Sequence, residues 1–127
     1  MPRKANIVVV CENLLWTSRI AEAAKELGAI ISFAKSEQEL RSIATKKEPT
    51  LVVIDLDFAT CKPIELLKAL KTQKRFRGIP TLGFFAHVEE ELKKKAINAG
   101  CRTVVSRADL AEDPIGLLRS TLKARSS

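Results

Sequence analysis

Leu51-Val52-Val53-Ile54-Asp55 is a run of four aliphatic residues closed by a carboxylate. Four consecutive apolar positions leave no polar face. Such a run suits a strand covered on both sides, as in a parallel sheet flanked by helices. The same signature recurs upstream at Ile7-Val8-Val9-Val10 and, more weakly, at Ala29-Ile30-Ile31-Ser32-Phe33. Downstream it recurs at Thr81-Leu82-Gly83-Phe84-Phe85 and at Thr103-Val104-Val105.

Helical patterns fill the intervals. Residues 14–27 place Trp16, Ile20, Ala24 and Leu27 on one stripe, and Gly28 ends the helix. Ser36-Glu37-Gln38-Glu39 has the spacing of a capping box and opens a helix to about Lys47. Pro63 suits the first turn of a helix to about Lys74, and Arg77-Gly78-Ile79-Pro80 reads as a turn. Residues 88–99 turn Val88, Leu92, Ala96 and Ala99 inward, with Glu89, Glu90 and Glu91 each four residues before Lys93, Lys94 and Lys95. Asp113 caps a last helix, with Pro114 first and Ile115, Leu118 and Leu122 inward. Strand and helix alternate throughout. Right-handed crossovers then predict a three-layer α/β/α sandwich around a five-stranded parallel sheet in the order 2-1-3-4-5.

The chain has 127 residues, enough for one domain over 1–127, with residues 1–5 and 125–127 expected as flexible ends. Apolar residues make up 46% and charged residues 29%, a globular balance. No apolar run approaches the roughly 20 residues that cross a bilayer, and no secretory apolar region follows Met1-Pro2-Arg3-Lys4. A cytoplasmic protein with no membrane contact is expected. Cys11, Cys61 and Cys101 are widely spaced, with no CxxC and a single histidine, His87. That excludes a zinc spacing signal and suits free thiols in a reducing compartment.

Net charge is +7, unevenly placed. Residues 1–63 carry nine Lys/Arg against eight Asp/Glu, and residues 64–127 thirteen against seven. Lys68, Lys71, Lys74, Arg75 and Arg77 follow one another with no acid between them. Lys68, Lys71 and Arg75 recur at helical spacing, so one face collects them. Such a patch serves phosphates, an acidic protein surface or plain solvation. Phe76 is the only aromatic within the run and no base-reading motif is built, so sequence-specific nucleic-acid binding is not expected.

Ligands of open α/β sheets bind at the carboxyl ends of the strands. Those ends deliver Cys11-Glu12-Asn13, Asp55-Leu56-Asp57, Phe85-Ala86-His87 and Ser106-Arg107. Asp55 closes a rigid hydrophobic strand and is expected to be open to solvent there. A carboxylate so placed is a candidate phosphoryl acceptor; paired with Arg107 it does no chemistry. Glu12 and Asp55 are two oxygen ligands for Mg²⁺, a thin set that leaves no cofactor as the other expectation. His87 and Ser106 complete the edge as supporting residues. Glycine-rich phosphate loops and a GxSxG elbow are absent, and no nucleophile stands beside an oriented base, so an enzyme is not expected.

Over residues 6–124 the chain resembles the receiver domain of two-component response regulators, a flavodoxin-like fold. The resemblance rests on Leu51-Val52-Val53-Ile54-Asp55-Leu56, Gly78-Ile79-Pro80 and Ala96-Ile97-Asn98-Ala99-Gly100-Cys101. It implies that Asp55 holds the position at which a histidine kinase's phosphoryl group is accepted. Other positions depart from the family. Cys11 and Glu12 stand where receivers carry two acids. Phe85 replaces Thr or Ser, Arg107 with Ala108 replaces Lys-Pro, and Val104 replaces the aromatic switch residue. The resemblance therefore implies a stand-alone receiver with a degenerate site. Such a protein signals by contact with a protein partner, a histidine kinase or another signalling protein, with phosphotransfer lost or atypical. A working phosphoacceptor using Asp55 with Mg²⁺, and a small basic nucleic-acid-associated protein, are the alternatives.

Overall fold

The computed structural model describes residues 4–74, 76–86 and 89–123. Strands β1 (Asn6–Val10), β2 (Ile30–Ala34), β3 (Leu51–Asp55), β4 (Thr81–Phe85) and β5 (Thr103–Ser106) alternate with helices. The helices are α1 (Leu14–Glu26), α2 (Glu37–Lys46), α3 (Pro63–Thr72), α4 (Glu90–Asn98), α5 (Arg107–Glu112) and α6 (Pro114–Lys123). All strand pairs are parallel, in the predicted order β2-β1-β3-β4-β5.

The unbroken apolar runs lie where both faces are covered. Every residue of β1, β3 and β4 is buried. Side chains alternate across the sheet with a period of two. Val8, Val10, Val52, Ile54 and Phe85 pack with Leu40, Leu66 and Ala96 under α2, α3 and α4. Ile7, Val9, Val53 and Phe84 pack with Trp16, Ile20, Leu110 and Leu118 under α1, α5 and α6. Each fully buried Leu, Ile or Phe contributes about 1.5–3 kcal/mol to this double core. β2 is an edge strand, which explains its weaker pattern: Ile30 and Phe33 are exposed.

Local signals set the helix ends. Asn13 Oδ1 accepts from the amides of Leu15 and Trp16 at 3.0 and 3.2 Å, an N-cap on α1 that the sequence reading passed over. Ser36 Oγ accepts from Glu39 N at 3.1 Å, as the capping box requires. The return bond from Glu39 Oε1 reaches Lys35 N at 3.3 Å rather than the amide of Ser36. Gly28 and Gly100 end α1 and α4 with φ of 70° and 112°, backbone that favours glycine.

The structure departs from expectation in three places. Helix α3 stops at Thr72, so Lys74 lies past its end. The face predicted for Lys68, Lys71 and Arg75 therefore keeps only its first two members on the helix, and Arg75 lies outside the described residues. Helix α4 begins at Glu90, and the predicted Val88 also lies outside them. After β5 there are two helices instead of one. Ser106 Oγ caps α5 by accepting from Asp109 N at 3.1 Å. Pro114 then ends α5, because proline has no amide hydrogen and drives the preceding residue out of helical backbone; Asp113 sits at φ −148°, ψ 70°.

Ala5 is tied to the sheet through its carbonyl, which accepts from Ile30 N at 2.8 Å. Of the expected flexible ends, Lys4 is exposed, and residues 1–3 and 125–127 lie outside the described residues. No helix among the described residues is long and apolar enough to cross a membrane.

Candidate functional site

Parallel pairing sets β1, β3, β4 and β5 in register, so their carboxyl ends form one edge. Val10 pairs with Ile54, Asp55 with Phe84, and Phe85 with Ser106. The edge gathers Cys11, Asp55, Asp57 and Arg107 around a shallow depression that Glu12 and Asn13 also line.

Asp55 is buried, with 6% of its side chain exposed, which corrects the expectation of an acceptor open to solvent. Its two oxygens both have neighbours. Oδ1 accepts from Asp57 N at 2.9 Å. Oδ2 receives the Cys11 thiol at 3.7 Å and lies 3.7 Å from an Arg107 terminal nitrogen. Burial pushes the Asp55 carboxyl above its ordinary range; the Asp57 amide and the Arg107 charge pull the other way without cancelling it.

Asp57 is the site residue that the sequence reading left out of its candidates. Its Oδ2 accepts from Ala86 N at 2.7 Å, fastening the end of β3 to the end of β4, and lies 3.9 Å from Arg107. The available signal was its place two residues beyond Asp55, where a strand leaving the sheet turns its next carboxylate toward the same edge.

Arg107 is the first residue of α5. Its guanidinium faces both aspartates and also lies over the Trp16 ring, 5.8 Å from the centroid. Arg19 covers the same ring at 5.1 Å, and Phe84 packs against it at 5.9 Å. The Arg107–carboxylate distances exceed hydrogen-bond length, so the contact is charge–charge. Its Nε is buried without a hydrogen-bond partner among the described residues. Trp16, expected only as core, thus holds the cation in place through its π face.

The remaining candidates divide. Glu12 is exposed at the depression's rim. Ser106 spends its hydroxyl on the α5 cap. His87 lies outside the described residues. Phe85 is fully buried within the core and offers no polar atom. The basic residues Lys68, Lys71, Lys74 and Arg77 are exposed away from this edge, because α3 runs back along the sheet toward the amino ends of the strands.

The thiols are set against reactivity. Burial, then the Asp55 charge, pushes Cys11 up to about 11. Cys61 and Cys101 are also raised by burial, and all three are buried and free. Only the thiolate is a good nucleophile. In the native protein at pH 7.5, Ellman's reagent is therefore expected to titrate almost no thiol within minutes, and three after unfolding. One thiol reacting at the unfolded rate in native protein contradicts this.

No protein-family model matches the sequence, and no curated protein matches it. Solved structures do. A response regulator from Thermotoga maritima superposes with a TM-score of 0.83 at 17% identity, over 95% of this chain and 99% of that one. The signal receiver domain of an HD domain-containing protein from Pseudomonas fluorescens Pf-5 gives 0.83 at 19%, over 98% of each chain. A response regulator receiver domain protein from Methanospirillum hungatei JF-1 gives 0.83 at 14%, again over 98% of each. At these identities the likeness shows the fold: this chain has the flavodoxin-like receiver-domain fold.

Proposed function

We propose that this receiver-fold chain is a signal-transduction protein of the response-regulator kind, acting through contact with a signalling protein and taking up no phosphoryl group at Asp55. The observation that carries this is the Arg107 guanidinium set against Asp55 and Asp57, 3.7 and 3.9 Å away, with Asp55 buried beneath it.

A carboxylate attacks phosphorus through a free, ionised oxygen reached from solvent. Here burial favours the neutral acid, and Oδ1 and Oδ2 are both engaged. Accepting a phosphoryl group also needs donors for its new charge. Phe85 contributes none.

Mg²⁺ suits the site poorly. The ion takes six oxygens in strict octahedral geometry. Among the described residues no three His, Cys, Asp or Glu side chains cluster for a metal, and of the three carboxylates lining the depression, Asp55 is buried and Asp57 is tied to the Ala86 amide. A guanidinium already neighbours the oxygens that a second cation would need. Arg107 supplies permanently the positive charge that a metal would bring, and the edge keeps one arrangement for a partner to recognise.

The test is incubation with acetyl phosphate and Mg²⁺ followed by intact mass. No phosphoryl addition is expected. Near-stoichiometric addition that Asp55→Asn abolishes overturns the reading and restores a working phosphoacceptor.

A further inference from the structure

At the amino ends of the strands, opposite the carboxylates, lies a second depression. A cleft of about 260 Å³ opens between α3 and the turn that leads into β4. Leu67, Leu70, Phe76 and Ile79 form its apolar lining, and Lys71 and Arg77 are its charged members. From Leu66 to Val88 the chain has no carboxylate, so Lys71, Lys74 and Arg77 have no acid near them in sequence; Glu65 lies one turn before the exposed Lys68. Among the described residues no carboxylate lies within salt-bridge distance of Lys68, Lys71 or Arg77.

Part of this charge has an internal use. Lys71 lies over Gly100 and donates to the Asn98 carbonyl at 3.4 Å, where the end of α4 leaves carbonyls unpaired. That contact fixes one ammonium at the edge of the cleft. Arg77 sits five residues past the end of α3, beyond the reach of its dipole. A solubilising charge gains nothing from flanking an apolar hollow.

We propose that this cleft docks a short acidic segment of a partner protein. The segment inserts one aliphatic side chain between Leu70 and Phe76 and sets its carboxylates against Lys71 and Arg77. Charge complementarity selects the partner, and the apolar floor sets the register. A nucleic acid fits less well. Phosphates have no apolar anchor to set in the hollow. This docking surface is independent of what Asp55 does.

Fluorescence anisotropy tests the proposal with three labelled probes at 150 mM salt. They are an acidic peptide with one central leucine, the same peptide with serine in that place, and a DNA duplex. The leucine peptide is expected to bind at least about tenfold more tightly than the serine peptide, since burying a leucine is worth that factor or more. Arg77→Glu, at an exposed position in the lining, should weaken the leucine peptide about tenfold, with melting unchanged. Lys25→Glu, the same charge change at the end of α1, should leave it almost as it was. Equal affinity for the two peptides, or no binding by either, overturns the proposal. Tighter binding of the duplex than of the leucine peptide overturns it in favour of a phosphate-binding face.

Discussion

A Phe85→Thr variant is expected to melt roughly 10–15 °C below the parent protein and still to take up no phosphoryl group from acetyl phosphate and Mg²⁺. Phe85 is fully buried and packs in the cluster that holds Ile54, Leu56, Ala96 and Cys101. Truncating a buried phenylalanine to alanine costs about 3–5 kcal/mol. Threonine refills part of the volume but buries a hydroxyl, and an unpaired buried hydroxyl costs about 1–3 kcal/mol. A net loss of about 3 kcal/mol at this chain length lowers the melting temperature by roughly 3–5 °C per kcal/mol. A Phe85→Leu variant, which keeps the apolar contact, should lose far less. The chemical half of the expectation follows from Arg107 and from the burial of Asp55, neither of which the threonine changes. A variant that melts within a few degrees of the parent would show that the pocket around Phe85 is slack. Stoichiometric phosphorylation of Phe85→Thr would show that the strand-end hydroxyl alone was missing.

The layered fold was readable from sequence because its signals are local and redundant. Leu51-Val52-Val53-Ile54 and Ile7-Val8-Val9-Val10 each demand two covered faces, and only a sheet between helix layers supplies them. The predicted strand order was enough to set Asp55, Glu12 and Arg107 at one edge. What escaped was set by contacts across the chain. The burial of Asp55 depends on Cys11 and Arg107, 44 and 52 positions away, closing over it. Asp57 stood at the same strand end, but its partner, the Ala86 amide, belongs to another strand and left no mark in its own neighbourhood. Trp16 satisfied the helical stripe so fully that nothing in its spacing announced two guanidinium groups on its faces. The split between α5 and α6 was local, by contrast. Ser106 and Asp109 have the three-residue cap spacing, and Pro114 marks the stop.

Removing the Arg107 charge should have the second large effect, and its pH dependence separates electrostatics from packing. The folded protein holds Asp55 above its ordinary range, so Asp55 binds its proton more tightly folded than unfolded. Its contribution therefore favours folding below the unfolded value near 4 and is lost as pH rises through the folded value. Arg107 opposes that loss by attracting the carboxylate. In Arg107→Ala the folded Asp55 value rises further, so above pH 4 stability goes on falling over a wider span of pH than in the parent. At pH 7 the variant should be about 1–2 kcal/mol less stable, between the cost of a surface pair and that of a broken buried pair. In acid, with Asp55 protonated, the difference should shrink. Denaturant titrations across that range measure it, and carbon-detected NMR of the Asp55 carboxyl follows the group itself. Parallel stability curves with an unmoved Asp55 titration would remove Arg107 from the electrostatics of the site. Arg107→Lys then divides the two roles of the side chain. It keeps the charge, so the pH profile should move back toward the parent. It lacks the flat guanidinium that lies over Trp16, so the emission of that single tryptophan should differ from the parent's in Arg107→Lys as it does in Arg107→Ala.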